Sequence, residues 1–488
     1  MLVTNVNYAF GFTDDEFELL KEKSRALIKQ LDGEEFSSET MGRITHDLCG
    51  CSEWDKSDVN ATFIELCLNC DSKKLRERGR DGRVSLFSNL RPENFDACRK
   101  DLEALSESSE ELELDFQSMR VYQMLDSQRE KFATTVAVVI SQNKHIYKLG
   151  FRFASLGDSG VTALAKALEV NKSLTYLNLS GNRIGDSGAT ALAEALKVNK
   201  SLTYLNLSGN RIGDSGATAL AKTLEVNKSL TRLDLSDSRI GASGATALAE
   251  ALKVNKSLTC LDLSHNSIGD LGATALAKTL EVNKSLTRLD LKMNFLGTSG
   301  ATALVEALKV NKSLIYLNLR DSCLGDSGAT ALAEALKVNK SLTYLDLSFN
   351  NLYDSGATAL AEALNVNESL TCLGLLNNKI GASGLISILE ALRVNNSLVY
   401  LNLNLNRDTF DCKSEALKTL KVNTSLNYLG LTMRYKDDKS EDEFNSELEQ
   451  VLEKQENITI THSFYENYDP FYDLISQQGI LSLAREDI

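Results

Sequence analysis

Four cysteines near the N-terminus have the types and spacing that could hold a metal. Cys49 and Cys51 form C-x-C, Cys67 and Cys70 form C-x2-C, and His46 stands just upstream. Zinc asks for four soft ligands in a tetrahedron, and two cysteine pairs this far apart could supply them. The competing reading places Cys67 and Cys70 one turn apart on the buried face of a helix, where cysteine is often simply core. The first pair is C-x-C and not the commoner C-x2-C, so the core reading is preferred. Zinc is the one cofactor the sequence raises.

Other chemistry is thinner. A basic run, Lys73, Lys74, Arg76, Arg78, Arg80 and Arg83, is interrupted by Glu77 and Asp81. It could meet phosphate or an acidic partner, but a solvated loop or helix end is preferred. No G-x4-G-K-[ST] phosphate loop exists, and the four histidines, His46, His145, His265 and His462, form no legible triad with a nucleophile. The formal net charge of −14 argues against a general nucleic-acid or anionic-membrane binder. No apolar run approaches the ~20 residues of a membrane span. The opening MLVTNVNYAFGFTDDEFELL lacks the charged start, apolar core and cleavage site of a secretory leader. Nine scattered cysteines fit reduced thiols in a cytoplasmic setting.

The elements that would position any surface are set by a repeat. SLTYLNLSGNRIGDSGATALAEALKVNK, Ser173 to Lys200, returns every 28 residues, its first leucines running Leu174, Leu202, Leu230 and on to Leu426. Leu177 and Leu179 alternate with Tyr176, Asn178 and Ser180, which is the period of a short strand with one buried face. Ile184-Gly185 turns the chain, with Asp186 or Ser187 as the expected N-cap. Ala189, Leu192, Ala193 and Leu196 then fall at helical spacing. Asn199 recurs after Val at every helix end, where a left-handed C′ position would stop the helix. Neither element can bury its apolar face alone, so the copies must stack.

The frame L-x-x-L-x-L-x-x-N followed by I-G-x-x-G resembles the ribonuclease-inhibitor-like leucine-rich repeats over roughly residues 145–462. The resemblance implies an α/β solenoid, a horseshoe with a concave parallel sheet and convex helices, preceded by a mainly helical N-terminal region. The expected division is a helical region at 1–115, a helical cap at 116–144, an array of about 12 strands at 145–462 and a closing cap at 463–488. Glu110 to Gln142 reads as largely helical. Ser238 and Ser322 replace the frame's Asn and should weaken stacking, and Asp408 interrupts the turn. On the helices Lys166/Glu169, Glu194/Lys197 and Lys222/Glu225 alternate in sign, which would set opposite charges beside each other on successive helices.

On the concave side the outward row reads Tyr176, Tyr204, Arg232, Cys260, Arg288, Tyr316, Tyr344, Cys372, Tyr400 and Tyr428. Copies at 173–228 are nearly pure consensus, whereas 286–353 carries Arg288, Asp290, Lys292, Phe295, Tyr316, Arg320, Tyr344, Asp346 and Tyr353. Tyr and Arg are the types enriched at binding hot spots, although a tyrosine ladder also stacks for structural reasons. The expectation is a non-catalytic, monomeric scaffold that grips a protein partner at these residues.

Near-identical copies also resemble effectors that bacteria inject into host cells. A second resemblance, in repeat type and an acidic C-terminal stretch, is to the Ran GTPase-activating proteins. It would require Arg183 or Arg211 to act as a finger on a transferring phosphoryl group. A ligase-type zinc module at 1–140 is the third alternative, short of the about eight ligands a cross-brace fold needs.

Overall fold

A computed structural model describes residues 112–115, 126–407, 412–431, 446–448, 450 and 459–461. Cys49, Cys51, Cys67 and Cys70, the basic run, the helices expected before residue 110, Asp408, the acidic insert at 437–443 and the cap at 463–488 lie outside the described residues. The chain divides into two units, Met1–Arg239 and Ile240–Ile488.

In the first unit strands and helices alternate: β1 (Leu112–Asp115), α1 (Asp126–Gln142), β2 (Ile146–Gly150), α2 (Gly157–Val170), β3 (Tyr176–Asn178), α3 (Asp186–Val198), β4 (Tyr204–Asn206), α4 (Gly213–Leu224) and β5 (Arg232–Asp234). Each strand pairs in parallel with the next. The second unit continues the pattern with α5 (Ala242–Val254), β6 (Cys260–Asp262), α6 (Gly269–Val282), β7 (Arg288–Asp290), α7 (Gly297–Val310), β8 (Tyr316–Asn318), α8 (Gly325–Leu336) and β9 (Tyr344–Asp346). It ends with α9 (Asp354–Leu364), β10 (Cys372–Gly374), α10 (Ala382–Ala391), β11 (Tyr400–Asn402), α11 (Lys413–Val422), β12 (Tyr428–Gly430) and β13 (Thr459–Thr461). Its strands also pair in order and in parallel. Each unit is therefore α/β solenoid. The pairing register equals the repeat, so Tyr176 faces Tyr204 and Leu177 faces Leu205.

The core follows from the frame. Leu174, Leu177, Leu179, Ile184, Leu192 and Leu196, and their equivalents in later copies, are buried. Each such side chain contributes about 1.5–3 kcal/mol.

The stretch from Glu110 differs from the helical expectation. Leu112–Asp115 is a strand paired with β2, so α1 runs between two paired strands and is not simply a terminal cover. Its sequence, Leu-Glu-Leu-Asp, does alternate, but four residues are too few to outweigh helix-favouring neighbours when read alone. What decides the conformation is the free edge of β2, whose backbone groups need partners. Phe132 of α1 still covers the expected core, meeting Phe151 edge-on with centroids 6.0 Å apart.

Both capping expectations are corrected. Asn199 is extended (φ −68°, ψ 133°), not left-handed. It acts through its side chain, Nδ2 donating to the Leu168 and Asn171 carbonyls at 2.8 and 3.0 Å, while Oδ1 accepts from Ser201 and Leu202. Asp186 does not cap its own helix either. Asp158 accepts from Gly185 N and Gly188 N of α3, and Asp186 in turn accepts from Gly216 N of α4. Asp270, Asp326 and Asp354 likewise accept from the helix start of the copy that follows, which links local helix starts to stacking.

The turn between strand and helix takes two forms. Gly213, Gly269 and Gly325 lie at φ 61°, 61° and 58°, whereas Gly185 and Gly241 are extended. Tyr353 occupies this position in an extended copy (φ −109°), the form open to a bulky residue.

Ser238 still reaches the Leu207 carbonyl at 3.1 Å, as an Asn would. Ser322 has one long bond, 3.4 Å to Arg320 O. Asn350, by comparison, donates to Leu319 and Ser348 and accepts from Ser322 N and Leu324 N. Charges on the helices pair mainly within a helix, as in Lys197–Glu194, Lys253–Glu250 and Lys309–Glu306, all i,i+3. The alternation therefore does not act chiefly between helices, although Lys337 also reaches Glu362 of the next helix at 3.4 Å. Among the described residues no helix is long and apolar enough to cross a membrane.

Candidate partner-binding surface

The candidate contact residues between 286 and 353 all lie in the second unit, and the structure sorts them into two groups. The first is buried. Tyr316 and Tyr344 are 4 % and 2 % exposed, with rings stacked at 3.9 Å between centroids. Asp290 and Asp346 are buried beside them. The expectation of an open tyrosine row is thus corrected for β8 to β12, where Cys372, Tyr400 and Tyr428 complete one buried cluster.

The buried group is internally bonded. Asp290 accepts from the Tyr316 hydroxyl (3.3 Å), Asn318 Nδ2 (3.0 Å) and Lys292 N (3.1 Å). Burial raises its pKa, the charge of Asp262 raises it further, and the Lys292 amide, Arg288 and Lys292 oppose the shift without cancelling it. Arg288 stacks over Tyr316 at 3.6 Å. Burial disfavours its charge, but Tyr316, Cys260, Asp290 and Asp262 outweigh that and hold it protonated. Its Nη1 is buried without a hydrogen-bond acceptor. Burial, with Tyr316 and Asp346 adding to it, also pushes the Tyr344 phenol well above its ordinary value.

The second group reaches solvent along the edge where strands turn into helices. Phe295 is 64 % exposed at φ 51°, and Tyr353 is 42 % exposed. Lys379 Nζ and Arg407 Cζ lie 5.6 and 5.3 Å from the centre of the Tyr353 ring. Arg320 lies over Phe349 at 4.5 Å, and Arg320, Lys292 and Met293 are half-buried. This edge joins apolar rings to cations.

Four further residues were not anticipated. Leu271 is 75 % exposed at the start of α6, where Ser187 and Ser215 stand in earlier copies. Cys323, Lys379 and Arg407 share the turn positions of Phe295 and Arg183. Departure from the repeat's own consensus was the signal that could have found Leu271, Cys323 and Lys379, whereas Arg407 keeps the consensus Arg. Arg183, Arg211 and Arg239, the row that a GTPase-activator reading needs, sit exposed on turns of the first unit. Among the described residues no three His, Cys, Asp or Glu side chains converge as metal ligands.

The family model described as Leucine Rich repeat matches seven segments, residues 170–193, 198–221, 226–249, 254–277, 282–305, 310–333 and 338–361. No curated protein matches the sequence. Among solved structures, one titled as Leiomodin-1 Actin-Binding Site 2 is similar at 23 % identity over 38 % of this chain and 98 % of that one, with a TM-score of 0.28. The tropomodulin C-terminal domain of Caenorhabditis elegans is similar at 19 % identity over 32 % of this chain and 94 % of that one, also at 0.28.

Proposed function

We propose that this chain is a non-catalytic protein-interaction scaffold whose partner docks on the turn edge of the 288–353 copies, against Phe295, Tyr353, Arg320 and Lys292. Repeat stacking supplies a rigid frame, and leucine-rich repeats point to protein–protein interaction. The observation that carries the location is Phe295. A large apolar ring is held outward from a left-handed turn position, where Asn or Gly is the better fit. Burying it against a partner recovers about 1.5–3 kcal/mol. Tyr353, flanked by Lys379 and Arg407, offers an aromatic anchor in a cationic setting, so an acidic segment with apolar side chains is the complementary partner. In this reading the scaffold acts in the cytoplasm of a host cell as an effector, a setting supported by the near-identity of its copies.

The test is capture of binding partners by immobilised full-length chain, with each captured protein quantified by mass spectrometry. Phe295→Ser with Tyr353→Ser should lower capture of a specific partner at least tenfold, about 1.4 kcal/mol. Arg183→Ala with Arg211→Ala should leave it unchanged. Equal capture by all three chains sinks the assignment.

A further inference from the structure

Between the end of each helix and the start of the next strand stands a valine that the fold leaves without a role. Val254, Val282 and Val310 end α5, α6 and α7, and Val338 holds the same place after α8. All four are 57–59 % exposed. Each is followed by the buried Asn that ties the copies together, as Asn283 and Asn311 do, so the valine itself holds nothing. The first unit carries the row too, in Val170, Val198 and Val226. Valines of this row supply ten of the seventeen large apolar side chains exposed among the described residues, which is a pattern and not scatter. Valine is also a poorer helix former than Ala, Leu or Lys, so an exposed helix end gains nothing from it.

A second row runs beside the first. Two residues on from each valine stand Lys256, Lys284, Lys312 and Lys340, all exposed and none with an ion-pair partner among the described residues. Lys253, Lys309 and Lys337, directly before their valines, are by contrast tied to Glu250, Glu306 and Glu334 one turn back. Glu281 takes that position before Val282, and Glu368 ends the lysine row after Lys340. The negative end of a helix favours a lysine nearby. It gives no reason for a valine between the helix and that lysine.

We propose that this edge of the second unit, Val254 to Lys340, docks on the surface of an anionic lipid bilayer. Three features choose that occupant. The free lysines match phosphate and carboxylate headgroups. The valines need an apolar phase just beneath, which the boundary between headgroups and acyl chains supplies and a nucleic-acid backbone does not. Both rows repeat at equal exposure from copy to copy, so the surface they meet must offer the same chemistry at each step. A bilayer does so, whereas a folded protein differs from point to point, as the turn edge does with its single Phe295 and Tyr353. The net charge of −14 opposes attraction of the whole chain. Screening over about 8 Å leaves the bilayer to feel chiefly the edge laid against it. Phe295 and Tyr353 lie between strand and helix, and the valines between helix and strand, so this edge is distinct from the partner surface proposed above.

The experiment is co-sedimentation of the full-length chain with vesicles of phosphatidylcholine, with and without phosphatidylserine. Binding should be at least tenfold stronger with phosphatidylserine and should fall as salt is raised. Lys256→Glu, Lys284→Glu, Lys312→Glu and Lys340→Glu together should weaken it at least tenfold. Val282→Ser with Val310→Ser should weaken it at least threefold and leave the salt dependence in place. Melting temperatures check that the variants fold, and if the glutamates lower them, the same four changes to Gln decide. Phe295→Ser with Tyr353→Ser should leave vesicle binding as it was, and a loss there would move the contact to the turn edge and overturn the proposal. No binding to phosphatidylserine vesicles, or equal binding by the lysine variant, overturns it too. So does full binding by the valine variant, since the edge would then be a row of cations alone. Duplex DNA or polyglutamate bound more tightly than the vesicles would make the occupant a soluble polyanion, which also overturns it.

Discussion

The Arg288 guanidinium lies 3.6 Å from the centre of the Tyr316 ring, and that ring in turn stacks on Tyr344. A cation, two rings and a buried carboxylate thus form one column along β7 to β9. Residues that read from sequence as partner contacts are here part of the fold.

Tyr316→Ala should therefore act first on stability. Emptying a buried aromatic site typically costs about 3–5 kcal/mol. Tyr204→Ala, at a half-buried ring, should cost clearly less. Urea unfolding of both variants makes the comparison, and equal midpoints would mean that Tyr316 is no more buried in solution than Tyr204.

Asp290 gives the column a pH dependence. Its pKa is pushed up to about 7 by burial and by Asp262, against an ordinary value of 3.8. An acid raised in this way binds its proton more tightly folded than unfolded. Its stabilising contribution is full below about pH 4 and is lost as pH rises to about 7. Asp290→Asn removes the titration, and Asn already stands at this position in Asn178, Asn206 and Asn318. The variant should match the parent near pH 4 and gain on it by up to about 1.4 kcal/mol per pH unit towards pH 7. Denaturant midpoints at pH 4.5, 6 and 7.5 check this; a gap that narrows with rising pH would reverse the sign.

Asn311 is buried and joins two copies, donating to Leu280 O and Asn283 O and accepting from Ser313 N and Leu314 N. Asn311→Ala strands several of these groups out of water, at about 1–3 kcal/mol each. A loss of more than about 3 kcal/mol is expected. Val310→Ala, next door but exposed, should stay within about 0.5 kcal/mol. If the two variants melt together, the ladder is not holding the copies in register.

Ser322 invites the opposite change. Its hydroxyl makes one 3.4 Å bond, where Asn350 makes four. Ser322→Asn should restore the inter-copy bonds and stabilise the chain by about 1 kcal/mol. A lower melting temperature by calorimetry would show that the second unit has adapted to the serine.

The sequence by itself determined the copy. The 28-residue period, the leucines that strand and helix each bury, and the parallel pairing at the same register were all legible, because each copy repeats one local pattern that only stacking can satisfy. It also marked Phe295 and Tyr353 as candidate contacts, Phe295 standing where the frame has Arg183 and Tyr353 where it has Gly185.

Only the tertiary structure decided what lies between copies. Asn199 and Asp186 looked like caps of their own helices because short polar side chains bond nearby backbone in most contexts. In the fold, the carbonyls and amides of the neighbouring copy lie within reach, and they capture those side chains instead. Strand β1 formed because the edge of β2 needed partners, a demand made from Ile146 on Leu112, 34 residues away in sequence. Tyr316 and Tyr204 occupy the same place in the repeat, and their local sequences predict the same exposure. Yet Tyr316 is buried and Tyr204 is half-buried, because burial depends on neighbours beyond the copy itself, and a periodic sequence carries no record of those.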